Sequence, residues 1–176
     1  MSELAAPTGR EEALRAEPRP DGEAPRALVI GATGYIGARL VPRLISAGYR
    51  VRVLARQASR VAAYEWGADV QVVEGDATDP AAVIRAVQDV DVLYYLVHSM
   101  AAGKDFADVD LAAARAVAAA SEDAGVRRIV YLGGVHPDGV VLSRPLLSGV
   151  AVAESLLSSG SRPPVRPSWA LACSRP

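Results

Sequence analysis

Apolar and polar positions follow two alternating patterns from Arg26 onward. Short runs rich in Val, Leu, Ile and Tyr have the composition of buried strands. Five such runs occur, at 26–30, 49–55, 70–75, 91–97 and 127–134. Longer segments with helical spacing separate them, as in repeated strand-helix-strand units. The pattern therefore predicts an α/β fold, a doubly wound parallel Rossmann-like sheet with strand order 3-2-1-4-5 and helices on both faces.

The helical segments contain recognisable start and stop signals. Asp79 stands where an N-cap belongs and Pro80 at the first helical position, ahead of an apolar stripe formed by Val83, Ile84 and Val87. A longer Ala-rich segment keeps helical spacing at Phe106, Val109, Ala113 and Val117. Gly125 is placed to end that helix, and Pro42 is expected to bend the first one.

The ends of the chain lack these patterns. Residues 1–25, rich in Pro, Glu, Arg and Ala, predict a disordered N-terminal tail. Residues 26–160 form the predicted α/β domain, and 161–176 an irregular tail rich in Pro, Arg and Ser. We hypothesise that a frameshift altered this tail, because codons for 168–172 read one nucleotide earlier are compatible with Val-Leu-Gly-Ser-Gly. A natural short form is the alternative.

Composition narrows the classes of protein that fit. The 176 residues are 51% hydrophobic and 22% charged, which predicts one globular domain. A net charge of −1 argues against a nucleic acid partner. The single cysteine, Cys173, excludes an intrachain disulfide and a cysteine-rich metal site. No apolar stretch approaches the roughly 20 residues of a membrane span. We therefore expect a cytoplasmic protein.

The stretch GATGYIG follows the first strand and opens the first helix. Its glycines, Gly31, Gly34 and Gly37, have the spacing of a dinucleotide-binding loop. Gly31 would let the chain turn off the strand, Gly34 would let the backbone approach a pyrophosphate, and Gly37 would let helix and sheet pack closely. The helix N-terminus then offers amide donors to phosphate. The alternative is a tight turn without a ligand.

The end of the second strand distinguishes between the two nicotinamide cofactors. A carboxylate there would accept from a ribose 2′-hydroxyl and repel a 2′-phosphate. The sequence has Arg56 instead, with Arg60 one turn later. Arginine pairs well with phosphate, so NADP(H) is favoured over NAD(H). The alternative is that both arginines are solvated surface residues.

Two further positions fall at the same edge of the predicted sheet. Asp76 follows the third strand, where its side chain would either accept from the adenine amino group or cap the next turn. His98 follows the fourth strand beside the point where the strand order reverses, which is where ligands bind in such sheets. There it would be either a loop hydrogen-bonder or a proton donor.

Five segments together carry a likeness to a known family, and they are ALVIGATGYIGARLVPRL, VRVLAR, VEGDATD, YYLVHSM and RRIVYLGGV. Over about residues 26–136 the chain resembles the NmrA-like branch of the atypical short-chain dehydrogenase/reductases. The resemblance implies a Rossmann domain that binds NADP(H) or NAD(H), with relatives that are oxidoreductases, epimerase-like enzymes or redox-sensing regulators. Together with Arg56, it leads us to expect an NADP(H)-dependent oxidoreductase acting on a small carbonyl or quinone-like substrate. It also assigns the cofactor contacts. They are Gly31, Thr33, Gly34, Tyr35, Ile36 and Gly37 in the phosphate loop, Arg56 at the ribose phosphate, Asp76 at adenine, and Leu96, Val97 and His98 beside the nicotinamide ribose.

The chain departs from hydride-transferring relatives at the usual catalytic residues. Those enzymes combine a Ser after the fifth strand with Tyr-x-x-x-Lys, in which the lysine lowers the tyrosine pKa. Here Gly133 and Gly134 take the serine position, and the only lysine, Lys104, is not part of such a motif. No catalytic residue is therefore assigned. A non-catalytic NADP(H) sensor or partner-binding protein and an inactive remnant are the alternatives.

Overall fold

Five parallel strands form a single sheet. The computed structural model describes Ala16 and residues 18–97, 106–132, 151–152 and 155–156. The order of the strands is β3-β2-β1-β4-β5, so the predicted fold class and strand order are confirmed. The strands are β1 (Arg26–Ile30), β2 (Arg50–Ala55), β3 (Gln71–Glu74), β4 (Val92–Tyr95) and β5 (Arg128–Tyr131).

Only β1 has the length that the apolar pattern predicted, and the other four are shorter. Tyr49 belongs to the preceding turn, because its amide donates to the carbonyl of Leu44 at 3.0 Å. Beyond β4, Leu96 still donates to Ile30 at 2.9 Å before the chain leaves the sheet. Apolar residues line the turns as well as the strands, so the runs overestimated strand length. Residues 133–134 of the last run lie outside the described residues.

The helices alternate with the strands. They are α1 (Gly37–Ser46), α2 (Ala58–Ala62), α3 (Pro80–Val87) and α4 (Phe106–Asp123), and a 3-10 helix (Glu65–Asp69) precedes β3. The predicted start of α3 is confirmed, since the Asp79 side chain accepts from the Ala81 amide at 3.0 Å and Pro80 is the first helical residue. Gly125 ends α4 with φ +70°, also as predicted.

The predicted apolar stripe of α3 is wrong at one residue. Ile84 is exposed, and the buried face consists of Ala82, Val83, Ala86 and Val87. The cause is close packing through small side chains. A Cβ on Gly75 would lie 2.3 Å from the Cβ of Ala82, so the helix approaches the sheet through its alanines and Ile84 points outward.

Two apolar clusters cover the two faces of the sheet. One lies between the sheet and α3 and α4, around Leu28, Leu93 and Val117. The other lies beneath α1 and α2, around Val29 and Val41. The predicted placement of helices on both faces is thus confirmed. Alternate side chains of β1 and β4 enter opposite clusters, as buried parallel strands require.

Part of the predicted N-terminal tail lies against the amino edge of the sheet. Arg19 donates from Nε to the Asp91 carboxylate at 2.8 Å and from Nη1 to Asp89. The predicted boundaries at 1–25 and 161–176 stay predictions. Within the described ranges, no helix has the length and apolar character needed to cross a membrane, and the cytoplasmic location also stays a prediction.

Candidate nucleotide site at the carboxyl edge of the sheet

Gly31 turns the chain away from β1 at the reversal point of the strand order. Its φ is +92°, in the region that favours glycine. A Cβ there would lie 3.1 Å from the carbonyl carbon of Leu96 and 3.3 Å from the amide of Val97. Gly31 therefore lets the loop after β1 pack directly against the chain leaving β4. This contact brings the glycine loop together with two residues predicted to lie beside the nicotinamide ribose.

Gly37 and Gly34 differ in the space around them. A Cβ on Gly37 would meet the Gly31 carbonyl oxygen at 2.3 Å and the Ala32 Cα at 2.6 Å. The start of α1 thus packs on the loop itself, whereas the sequence predicted packing between helix and sheet. A Cβ on Gly34 would meet only the Gly31 oxygen, at 3.3 Å. The remaining space around Gly34 is open to a ligand.

Backbone donors are available at the start of α1. The Gly34 amide is used within the loop, where it donates to the Gly31 carbonyl at 3.1 Å. Over the residues that the structure describes, the amides of Tyr35, Ile36 and Gly37 donate to no protein acceptor. No side chain caps this helix, and its first turn contains no acidic residue. These donors and the helix dipole fit a diphosphate, so the loop is compatible with a dinucleotide.

The two large apolar residues of the loop face solvent. Tyr35 is 73% exposed and Ile36 is 44% exposed. The guanidinium of Arg39 stacks over the Tyr35 ring at 3.8 Å and donates to its carbonyl at 3.0 Å. Within the predicted phosphate loop, the exposed surface is therefore limited to residues 34–36, and Gly37 is buried. His98, predicted for the same edge, lies outside the described residues.

Arginines lie beside the loop, at the end of β2. Arg56 and Arg60 line a small open pocket together with Thr33, Ala55 and Gln57. Arg56 is exposed, and its nearest carboxylate is that of Asp76, at 4.0 Å. The structure thus joins the predicted ribose-phosphate residue to the glycine loop through Thr33. A pocket with two exposed guanidinium groups suits a phosphate monoester.

Asp76 caps the turn that leads into α3. Its Oδ1 accepts from the amide of Thr78 at 2.9 Å and from the Thr78 hydroxyl at 2.8 Å. The hydrogen bond from the Thr78 amide is the main reason that the pKa of Asp76 is lowered, and nearby Arg56 acts in the same direction. The structure therefore contains the capping arrangement that was one of the two sequence alternatives. A contact of Asp76 with adenine stays a prediction.

Two residues near the pocket were missed by sequence analysis. Gln57 follows Arg56 and lines the pocket, and its polar side chain next to the arginines was the available signal. Tyr64 donates from its hydroxyl to the Thr33 carbonyl at 3.0 Å. Nothing in the sequence points to this contact, because 31 positions separate the two residues and Tyr64 lies outside the predicted strands and helices.

Tyrosines occur where β4 and β5 end. The rings of Tyr95 and Tyr131 lie 6.2 Å apart. Burial is the main cause that raises the pKa of both hydroxyls, and the Asp110 carboxylate raises them further. A proton-exchanging tyrosine in catalysis needs the opposite shift. The raised pKa values run against such a role, and neither tyrosine is assigned a catalytic role.

Characterised proteins similar to this chain include reductases. The chain is 35% identical to the sterol demethylase protein B of Methylococcus capsulatus over 121 residues, which are 64% of this chain and 37% of that protein. It is 38% identical to the (4-alkanoyl-5-oxo-2,5-dihydrofuran-3-yl)methyl phosphate reductase of Streptomyces griseus over 105 residues, 60% of this chain and 33% of that protein. The chain thus spans about a third of the length of these relatives.

A solved structure shares the fold. The NADPH-dependent quinone oxidoreductase of Escherichia coli, solved with NADPH, superposes with a TM-score of 0.63 and 24% identity over 76% of this chain and 45% of that chain. The family model described as NAD(P)H-binding matches residues 31–146. That range includes the glycine loop, both arginines and β2 to β5. The chain therefore belongs to the NAD(P)H-binding family, and the predicted resemblance is confirmed.

Proposed function

We propose that the chain is the NADP(H)-binding domain of an atypical short-chain reductase. The observation that carries the preference for NADP(H) is the pocket at the end of β2, where Arg56 and Arg60 stand next to Thr33 of the glycine loop. Two cations beside the ribose position favour a 2′-phosphate over a bare hydroxyl. The family match supports a nicotinamide cofactor, and the choice of NADP(H) is our inference.

In this proposal each part of the loop has a separate task. The amides of Tyr35, Ile36 and Gly37 hold the pyrophosphate, and Gly34 leaves room for it. Arg56 and Arg60 hold the 2′-phosphate. Leu96 and Val97, beside Gly31, border the nicotinamide end. When bound, the nicotinamide would supply hydride chemistry, and the protein would contribute orientation.

The relatives support a proposed substrate class. The similar proteins include a quinone oxidoreductase and a reductase of a butenolide phosphate, which supports a small carbonyl or quinone-like acceptor. Reduction of a carbonyl or quinone takes a hydride from the nicotinamide and a proton, which solvent water would supply here, while the protein positions the substrate. We therefore propose turnover without the serine and Tyr-x-x-x-Lys residues that the sequence lacks.

Binding of both cofactors by Arg56→Ala and wild type tests the cofactor assignment. We expect NADPH to bind at least about tenfold more weakly to the variant, because a charge-assisted contact contributes about 1.5–3 kcal/mol. NADH affinity should not change. Arg85→Ala is the matched control, since Arg85 is an exposed arginine on α3 that does not line the pocket. Equal weakening of NADPH and NADH by Arg56→Ala would reject the assignment.

A second candidate function is a sensor that binds NADP(H) without turnover. The missing Tyr-x-x-x-Lys motif favours it. Thermal denaturation with NADPH at about 100 times Kd should show about 2.7 kcal/mol of stabilisation for either function. NADPH oxidation with a panel of carbonyls and quinones would support the reductase. Stabilisation without oxidation of NADPH across the panel would support the sensor.

A further inference from the structure

Tyr64 reaches across the site to the glycine loop. Its hydroxyl donates to the Thr33 carbonyl oxygen at 3.0 Å. Thr33 immediately precedes Gly34, so the contact is made on the backbone of the loop proposed to hold the pyrophosphate. A side chain from the connection between β2 and β3 thus fixes a peptide unit in the loop after β1.

The position of the Tyr64 side chain is itself well determined. Its ring stacks on that of Trp66, with centroids 4.7 Å apart and planes 19° apart, and Trp66 is buried. The Tyr64 amide donates to Val61 at 3.0 Å, and its carbonyl accepts from Gly67 at 2.8 Å. A Cβ on Gly67 would lie 2.4 Å from the Val61 oxygen. Tyr64 is therefore held by backbone and ring together.

The hydrogen bond controls the direction of the loop's polar groups. The peptide unit joining Thr33 and Gly34 is planar, so its carbonyl and amide point in opposite directions. The carbonyl is bound by Tyr64, and the Gly34 amide is bound by the Gly31 oxygen at 3.1 Å. With both ends held, the Thr33 oxygen stays turned toward Tyr64. Without the hydrogen bond from Tyr64, the Thr33 oxygen would be able to turn toward a bound phosphate and repel it.

We propose that Tyr64 is a positioning residue for the pyrophosphate, an inference that rests on the proposed nucleotide binding. Arg56, Arg60 and Tyr64 all belong to the connection after β2, and Thr33 lines the arginine pocket. One short segment therefore supplies the contact for the 2′-phosphate and the clamp on the pyrophosphate loop. Tyr64 acts through Thr33, and it has no direct contact with the nucleotide in this proposal.

Calorimetric titration with three nucleotides separates the two parts of the site. ADP-ribose contains the pyrophosphate and lacks the 2′-phosphate, adenosine 2′-monophosphate has the reverse, and NADPH has both. Tyr64→Phe keeps the ring on Trp66 and removes only the hydroxyl. We expect it to weaken ADP-ribose and NADPH roughly two- to tenfold, the range for one hydrogen bond, and to leave adenosine 2′-monophosphate unchanged.

Two variants serve as controls. Tyr94→Phe makes the same chemical change at a buried tyrosine of β4 in the apolar cluster that also contains Trp66, and it should leave all three affinities unchanged. Arg56→Ala should give the reverse pattern, with loss of adenosine 2′-monophosphate and NADPH binding and normal ADP-ribose binding. Thermal denaturation of each unliganded variant establishes that it is folded at the titration temperature.

The outcomes distinguish this inference from the proposed function. Normal ADP-ribose binding by Tyr64→Phe would overturn the positioning role while leaving nucleotide binding intact. Equal weakening of all three nucleotides would overturn it too, because it would indicate a general structural defect. If wild type binds none of them, the proposed function fails, and the role of Tyr64 fails with it.

Discussion

The two edges of the sheet use charged residues in opposite ways. At the amino edge, the side chain of Asp91 is 8% exposed and is surrounded by donors. It accepts from Nε of Arg19 at 2.8 Å, from the amide of Arg26 at 2.7 Å and from Nη2 of Arg127 at 2.7 Å. Asp89 pairs with Arg19 and Arg26. Both carboxylates there are neutralised by arginines.

At the carboxyl edge the positive groups are not neutralised in this way. Arg56 is 75% exposed, with its nearest carboxylate, that of Asp76, at 4.0 Å. The amides of Tyr35 and Ile36, in the described part of the chain, have no protein acceptor. The contrast supports our proposal that the carboxyl edge binds an anionic ligand, and it leads us to expect that the amino edge contributes to folding stability. Variants at each edge test whether these two tasks are separate.

The largest expected effect is loss of stability at the amino edge. Asp91→Ala leaves three donors without their acceptor, and we expect the free energy of unfolding to fall by about 3 kcal/mol. Urea denaturation measures it. Glu122→Ala, at an exposed acidic residue of α4, should stay within about 0.5 kcal/mol of wild type. NADPH affinity of folded Asp91→Ala should equal that of wild type, and a weakened affinity would show that the edges are coupled.

Substitutions in the glycine loop should separate stability from binding. Gly37→Ala places a Cβ 2.3 Å from the Gly31 oxygen. We expect a loss of about 1–3 kcal/mol in unfolding free energy and weaker binding of both cofactors. Gly34→Ala meets one atom at 3.3 Å, so stability should change by less than about 0.5 kcal/mol while binding is still lost. Chemical denaturation and cofactor titration measure the two effects.

Two results would contradict the separate roles of Gly34 and Gly37. If Gly34→Ala binds NADPH as wild type does, the open space near Gly34 is not used by the ligand. If Gly37→Ala is as stable as wild type, the loop tolerates the extra methyl group by shifting. Either result would remove one of the two roles that the steric contacts assign.

Acid should weaken the amino edge in a defined pH range. Burial alone would raise the pKa of Asp91, but hydrogen bonds from the Arg26 amide and the Arg19 side chain outweigh it, so the pKa is lowered. A lowered folded-state pKa gives stability that is present above the unfolded value of about 3.9 and is lost as pH falls below it. Urea denaturation of wild type and Asp91→Ala from about pH 7 to about pH 3 should show the difference in unfolding free energy shrinking. A constant difference would contradict the role of the charge.

Sequence analysis predicted the layered architecture because periodicity records burial. Strand order, the Asp79 cap and the Gly125 stop were all confirmed, since each depends on local spacing or on a general topological rule. Ile84 was misplaced because the buried face of α3 depends on how closely its alanines approach the sheet. That distance is a tertiary property which periodicity along one helix does not contain.

The candidate site was predictable where one short motif defines it. The glycine spacing and Arg56 are consecutive features of the first strand-helix-strand unit, so their proximity follows from the fold. The contact from Tyr64 to Thr33 and the ion pairs of Asp91 join residues far apart in sequence. Charged and aromatic residues have many potential partners, and only the folded chain determines which ones meet.

The smallest expected effect concerns Asp76, the carboxylate nearest to Arg56. Asp76→Asn retains an oxygen to cap Thr78 and removes a charge 4.0 Å from Arg56. Exposed pairs of this kind contribute about 0.2–1 kcal/mol, so NADPH should bind up to roughly fivefold more tightly, with NADH unchanged. Parallel fluorescence titrations of both cofactors measure this change. Weaker binding of both would instead indicate a direct contact of Asp76 with adenine, and the carboxyl edge would then contain a paired acceptor for the ligand as well as free donors.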